Sequence, residues 1–152
     1  MNALVRRFIK TAVIFLAIGL LTGAYILVQR ELFSIWPQPY VVSAHTHAVF
    51  VGFVMFMILG VALWLFPKPL RSDPRYRPAL IEIVYWLLLS GTLLRFLGEL
   101  ARAYINNPLL AWLVVLAGFA QVASLLLYVW TMWYRIRPTM RELRGGQEGE
   151  AE

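Results

Sequence analysis

The chain has 152 residues, 61% hydrophobic and only 14% charged, and it contains no cysteine. An apolar surplus of this size, at a mean hydropathy of +0.68, exceeds what one small core can hide from water, where about a quarter of residues are normally charged. A soluble globular enzyme, a disordered chain and a secreted disulfide scaffold are therefore excluded, and without thiols so are iron–sulfur clusters and c-type haem attachment. The net charge of +6, from 14 basic and 8 acidic residues, would suit a nucleic-acid binder, but the charges lie between and beside apolar runs, the pattern of membrane orientation.

Crossing roughly 30 Å of hydrocarbon takes about 20 helical residues, and the sequence predicts four such spans, at about 11–28, 41–66, 80–104 and 109–134. Together they form one membrane domain over residues 1–144, an all-α four-helix transmembrane bundle, up-down-up-down because the connections at one end are short. Residues 145–152 are polar and acidic and are expected to be a disordered tail.

The first span follows Arg6, Arg7 and Lys10. Its apolar run is longer than a signal-peptide core and lacks a small-x-small cleavage site, so it is expected to stay in the protein. Gly19 and Gly23, four apart, give it a face for close helix approach. Ile35-Trp36-Pro37-Gln38-Pro39 ends it, because proline removes a donor and biases its predecessor away from helix. The second span opens on Ala44-His45-Thr46-His47 and is thinned by Gly52 and Gly60. A Pro-rich loop with Lys68, Arg71, Arg75 and Arg77 separates it from the third span, which carries Glu82, Arg95, Glu99 and Arg102 beside Ser90, Gly91 and Gly98. After Asn106-Asn107-Pro108 comes the fourth span, where Gln121 is expected to hydrogen-bond to another helix, and then Arg135, Arg137, Arg141 and Arg144. The basic clusters all fall on one side, so the positive-inside rule puts both termini in the cytoplasm. Trp36, Tyr40, Tyr104 and Trp112 at one end, and Trp64, Tyr76, Trp130, Trp133 and Tyr134 at the other, read as interfacial belts.

The chain has only two histidines, His45 and His47. Imidazole within a span is costly to leave unpaired and is a functional hypothesis by default. Residues two apart on a helix point about 200° from one another, so a chelate from this helix alone would need a distorted backbone. One imidazole facing inward suffices as an axial haem ligand; the alternative is that both only hydrogen-bond to neighbouring helices or to interfacial water. On the third span Arg95 and Glu99 share a face, with Arg102 in reach of Glu99. At about 1.5 Å per residue, Arg95 lies near the depth of His47. The group is then either a self-neutralised ladder, or a place where Arg95 and Arg102 receive haem propionates, or one where the cation ties the bundle to a partner's carboxylate. Met55 and Met57 point in opposed directions and read as core filler. No phosphate-binding glycine loop, dinucleotide fingerprint, nucleophile triad or dense carboxylate cluster is present.

His45-Thr46-His47-Ala48-Val49, followed by Gly52, Gly60 and the closing Pro67, resembles the second helix of haem–copper oxidase catalytic subunits, above all the nitric oxide reductases and C-family oxygen reductases. The resemblance implies that His45 is the metal-binding residue, an axial ligand of haem b; His47 stands where that family carries asparagine. Those subunits have many more helices, a second axial histidine on a distant helix and a histidine set for the catalytic metal, none of which is present here, so a complete terminal reductase is not expected. Size and topology instead resemble small subunit I-like membrane proteins, among them the NorH accessory proteins of Thermus-type nitric oxide reductases. That implies a non-catalytic accessory subunit of a nitric oxide reductase or related haem–copper reductase in the bacterial cytoplasmic membrane. Its partners would be reductase subunits and lipid, not nucleic acid, and it would dock through its small-residue faces (Gly19, Gly23, Gly52, Gly60) and the third span with Glu99, with haem b as the one candidate cofactor. Two other expectations stay open. One is a stand-alone haem b protein for electron transfer or gas sensing, with His45 on iron and Arg95 or Arg102 on the propionates. The other is a structural membrane protein whose histidines are interfacial.

Overall fold

The computed structural model describes residues 3–66 and 78–135. Among these residues there are four helices long and apolar enough to cross a membrane, and no strand. The first is α1 (Ala3–Leu32). The second is one continuous rod made of α2 (Pro39–His47), a π-helical stretch (Ala48–Met55) and α3 (Phe56–Leu65). The third is α4 (Pro78–Arg102) and the fourth α5 (Pro108–Met132), which runs into a 3-10 turn at Trp133–Arg135.

The boundaries follow local chemistry. Pro39 and Pro108 sit in the first turns of α2 and α5, where the missing N–H would have had no partner. Asn107 caps α5, its Oδ1 accepting from the Leu109 amide at 2.9 Å. The first helix is longer than the apolar run 11–28 that predicts it, because Arg6, Arg7 and Lys10 are good helix formers and carry the turn back to Ala3. Its far end closes where Ser34 adopts φ 53° and the Ile35 amide returns to the Gln29 carbonyl at 3.0 Å. At the end of α4, Tyr104 lies past the last helical residue, Arg102. The expected disordered tail, the loop carrying Lys68, Arg71, Arg75 and Arg77, and Arg137, Arg141 and Arg144 lie outside the described residues.

Lipid is as apolar as leucine, so helices in a membrane associate by close packing and hydrogen bonds rather than by expulsion of water. The first two rods pack antiparallel through glycines. A Cβ on Gly19 would lie on Val49, one on Gly52 on Phe15, and one on Gly60 on Phe8. A second antiparallel pair, α4 and α5, meets where Gly91 faces the Ala117 carbonyl and Gly98 faces Val114. The pairs join along α1 and α4, which run in the same direction: Arg7 reaches Glu82 at 3.0 Å, Thr11 reaches Tyr85 at 2.9 Å, and Tyr25 reaches Tyr104 at 3.3 Å. Between them lies the main apolar core, with Phe8, Phe56 and Tyr85 in mutual ring contact. Met57 packs against this core. A smaller cluster of Phe15, Ala44, Ala48 and Phe96 fills the level above it. Beyond this second cluster, toward the Pro39 end of the second rod, the interior turns polar.

Candidate functional site

That polar level is built where α2 crosses α4. Glu99 is 3% exposed, a carboxylate in a span with almost no contact to its surroundings beyond the bundle. Its Oε1 accepts from Ser43 Oγ at 2.9 Å and from Arg95 Nε at 3.1 Å. Its Oε2 is buried without a hydrogen-bond donor; His47 Nδ1 lies 3.5 Å from it. His47 Nδ1 donates to the Ser43 carbonyl at 2.8 Å, since a carbonyl can only accept. That bond requires a proton on Nδ1.

The network continues across the bundle. Arg95 Nη1 donates to Gln121 Oε1 at 3.3 Å, and Gln121 Nε2 donates to Thr92 Oγ1 at 3.2 Å, joining α4 to α5. Gly118 makes room for the guanidinium, because a Cβ there would stand 3.1 Å from Arg95 Nη1. In charge terms Arg95 and Glu99 neutralise each other. An uncompensated charge at this depth is expensive, so the pairing is what permits either residue to be there.

The residues singled out from sequence divide cleanly. His47, Arg95 and Glu99 come together, as the matched depths of Arg95 and His47 predict. Arg102 does not join them: its guanidinium lies over the Tyr40 ring, 4.7 Å from the centroid, at the aromatic end of the bundle. Three residues, just under one turn of α4, carry it past the carboxylate to the level of Tyr40, whose π face holds the cation there. Glu82 pairs with Arg7 across the α1–α4 contact, at the opposite end. His45 turns the other way from His47, as a spacing of two requires. Its Nδ1 meets the Gly19 carbonyl at 3.0 Å, and its Cε1 lies 2.9 Å from where a Cβ of Gly23 would be. The Gly19–Gly23 face is thus covered by the chain's own second rod and is not open for docking a partner. Ser43 and Thr92 are site residues that sequence reasoning missed. Ser43 carries a readable signal, lying one turn before His47 and thus on its face.

A family model, Cytochrome C and Quinol oxidase polypeptide I, matches residues 3–144. The chain belongs to that family. No curated protein and no solved structure matches it. Membership of the oxidase polypeptide I family makes haem the group to test against these residues, and they do not fit it. The His45 ring is wedged onto α1 with Nε2 only 3.7 Å from the Cβ position of Gly23, so a macrocycle on that nitrogen would need α1 moved aside. The other imidazole lies on the opposite side of the rod, its Nδ1 on Ser43 and toward Glu99, so it cannot share a ligand with His45. The cation meant for a propionate, Arg95, is bound to Glu99 and Gln121. Among the described residues, no group of three or more His, Cys, Asp or Glu is placed to hold a metal ion.

Proposed function

We propose that this chain is a non-catalytic accessory subunit of a respiratory haem–copper reductase, of nitric oxide reductase type, in the bacterial cytoplasmic membrane with both termini on the cytoplasmic side. The observation that carries the reading is the fate of the two histidines. His45 and His47 diverge from one helix, their Nδ1 atoms turned to Gly19 on α1 and to Ser43 respectively, so the two rings cannot serve one ligand together. Membership of the oxidase polypeptide I family without a usable pair of imidazoles favours a protein that stands beside a redox centre over one that houses it. The small-residue faces are consumed inside the bundle, so the partner would seat on the outward apolar surfaces, for example the Leu109, Trp112 and Leu116 face of α5, all of them exposed. The basic residues at the ends of the spans support the orientation.

Tagged protein extracted in mild detergent from its native membrane is expected to carry haem–copper reductase subunits through affinity and size-exclusion steps. Recovery of the chain alone, in full yield, beside an intact reductase complex would overturn the reading.

A further inference from the structure

Over its first three turns α4 presents one stripe, Ala79, Glu82, Ile83, Trp86, Leu87 and Ser90, that lines a groove of about 640 Å³. The spacing is that of a single helix face, and the volume is that of a site for a small molecule rather than of a packing defect. Ile83 and Trp86 are each half exposed, so the groove faces the surroundings of the bundle. Its chemistry changes along the membrane normal. At the basic end Glu82 holds Arg7 of α1 at 3.0 Å, and both side chains keep about half their surface open. Trp86 stands one turn further in, roughly 6 Å deeper, its ring edge-on to Tyr85. Deeper still the Ser90 hydroxyl is turned back on the Leu87 carbonyl of its own helix, at 3.3 Å, so the inner part of the groove is an apolar wall. A charged mouth above an apolar trough is the counterpart of an amphiphile.

We propose that this groove binds a phospholipid with a primary-ammonium headgroup, phosphatidylethanolamine. An ion pair this exposed has used only part of its bonding capacity: Glu82 has a second carboxylate oxygen and Arg7 further N–H groups. An ethanolamine headgroup carries the complementary pair, a phosphate that accepts from Arg7 and, one ethylene link away, an ammonium that donates to Glu82. Lys10 is exposed one turn further along α1, on the side of Arg7, and adds a cation at the phosphate level. Trp86 then lies at the depth of the ester carbonyls, where an indole both packs and donates, and one acyl chain runs over Ile83 and Leu87 toward Ser90. The carboxylate selects among headgroups. A purely anionic lipid brings its phosphate to Arg7 but leaves Glu82 beside it repelled, and a choline headgroup has no N–H to give. An apolar helix of another protein would seal the same ion pair from water without replacing its hydration. The inference does not rest on the accessory-subunit reading, since lipid selectivity is measured on the chain alone.

The test is lipid competition read by native mass spectrometry. Full-length protein, delipidated in mild detergent, is offered equal amounts of phosphatidylethanolamine, phosphatidylcholine and phosphatidylglycerol with the same acyl chains. The ethanolamine lipid is expected to be retained about fivefold or more over the choline lipid, the worth of one hydrogen bond to a charged group. In Glu82→Gln that preference should fall to parity, while Arg7→Gln weakens retention of both lipids. Equal retention of ethanolamine and choline lipids by the wild type overturns the proposal. So does stronger retention of phosphatidylglycerol, which would reduce the site to general attraction of anions by the basic start of α1. Position is read separately: an ethanolamine lipid with a photoactivatable diazirine on its acyl chain should label residues 79–90, and labelling confined to α5 overturns the proposal as well. Should either variant fail to fold, the selectivity and labelling of the wild type decide alone.

Discussion

The ring of Phe15 occupies the space that a side chain on Gly52 would need. A Cβ built at Gly52 falls 2.6 Å from Phe15 Cδ1 and 2.7 Å from Phe15 Cβ. These are not the yielding ends of a long side chain but the root of an aromatic ring fixed on α1 and 2% exposed. Gly52 also lies at the middle of the π-helical stretch Ala48–Met55, where the second rod winds most widely. Gly52→Ala is therefore expected to force α1 and the π stretch apart, at a cost of about 1–3 kcal/mol, more than the roughly 1 kcal/mol gained from alanine's better helix propensity. Thermal unfolding in detergent, followed by helical circular dichroism, checks this. A midpoint equal to or above that of the parent contradicts the packing described.

The Arg95–Glu99 pair predicts a non-additive response. Arg95→Met leaves a buried carboxylate without its cation and is expected to cost about 3–5 kcal/mol, whereas replacing both partners together, Arg95→Met with Glu99→Leu, recovers most of that loss. The ion pair between Arg7 and Glu82 is the internal contrast. With side chains 51% and 53% exposed, it is worth under about 1 kcal/mol, so Glu82→Gln should leave the unfolding midpoint almost unmoved. Equal losses from Arg95→Met and Glu82→Gln would mean that the polar level is wetter than its burial indicates.

Much of this arrangement is readable from the residues themselves. Hydropathy and proline place the spans because the bilayer imposes one length and one hydrogen-bonding rule on every segment that crosses it. The Arg95–Glu99 contact is a matter of helical spacing, and the depth of His47 follows from counting residues from Pro39. What could not be read is azimuth. A spacing of two says that His45 and His47 diverge, not which of them meets α4, and that choice is made by α1, whose Gly19 and Gly23 accept the His45 ring. The π-helical stretch is illegible for the same reason: eight apolar residues, Ala48–Met55, carry no local signal that their turn widens. Arg102 was within reach of Glu99 by spacing, yet the Tyr40 ring, distant in sequence, holds it. Ser43 and Thr92 went unnoticed because a hydroxyl in a span is more often bonded back to its own helix, as Thr22 and Thr46 are here.

At the other end of the bundle, Tyr128 ties α5 to the second rod through a hydrogen bond from its hydroxyl to the Leu59 carbonyl, 2.9 Å long and buried. Because α5 otherwise packs chiefly on α4, this bond is one of its few links to the first helix pair. Arg135 adds another, donating to the Phe66 carbonyl at 3.0 Å. Tyr128→Phe keeps the ring and removes the donor, so a loss of about 0.5–1.5 kcal/mol is expected, with faster amide exchange confined to α5. A mutant as protected along α5 as the parent would show that the bond contributes nothing.

The haem question has a direct optical answer. An axial histidine whose Nδ1–H is held by a carbonyl is well prepared as a ligand through Nε2, and His45 on Gly19 has that part of the arrangement. What it lacks is space, since the ring lies against the Gly23 backbone of α1, and an opposing ligand, since His47 faces α4. Protein expressed with haem in ample supply is therefore expected to show no Soret band, and His45→Ala to leave the visible spectrum as it was. The variant should instead show its effect in stability, because a cavity opens between Gly23 and α2 and the Gly19 carbonyl loses its partner. A Soret band in the parent that vanishes in His45→Ala but survives in His47→Ala would require α1 to swing away from the second rod on haem binding, and would return the chain to the class of electron carriers or gas sensors.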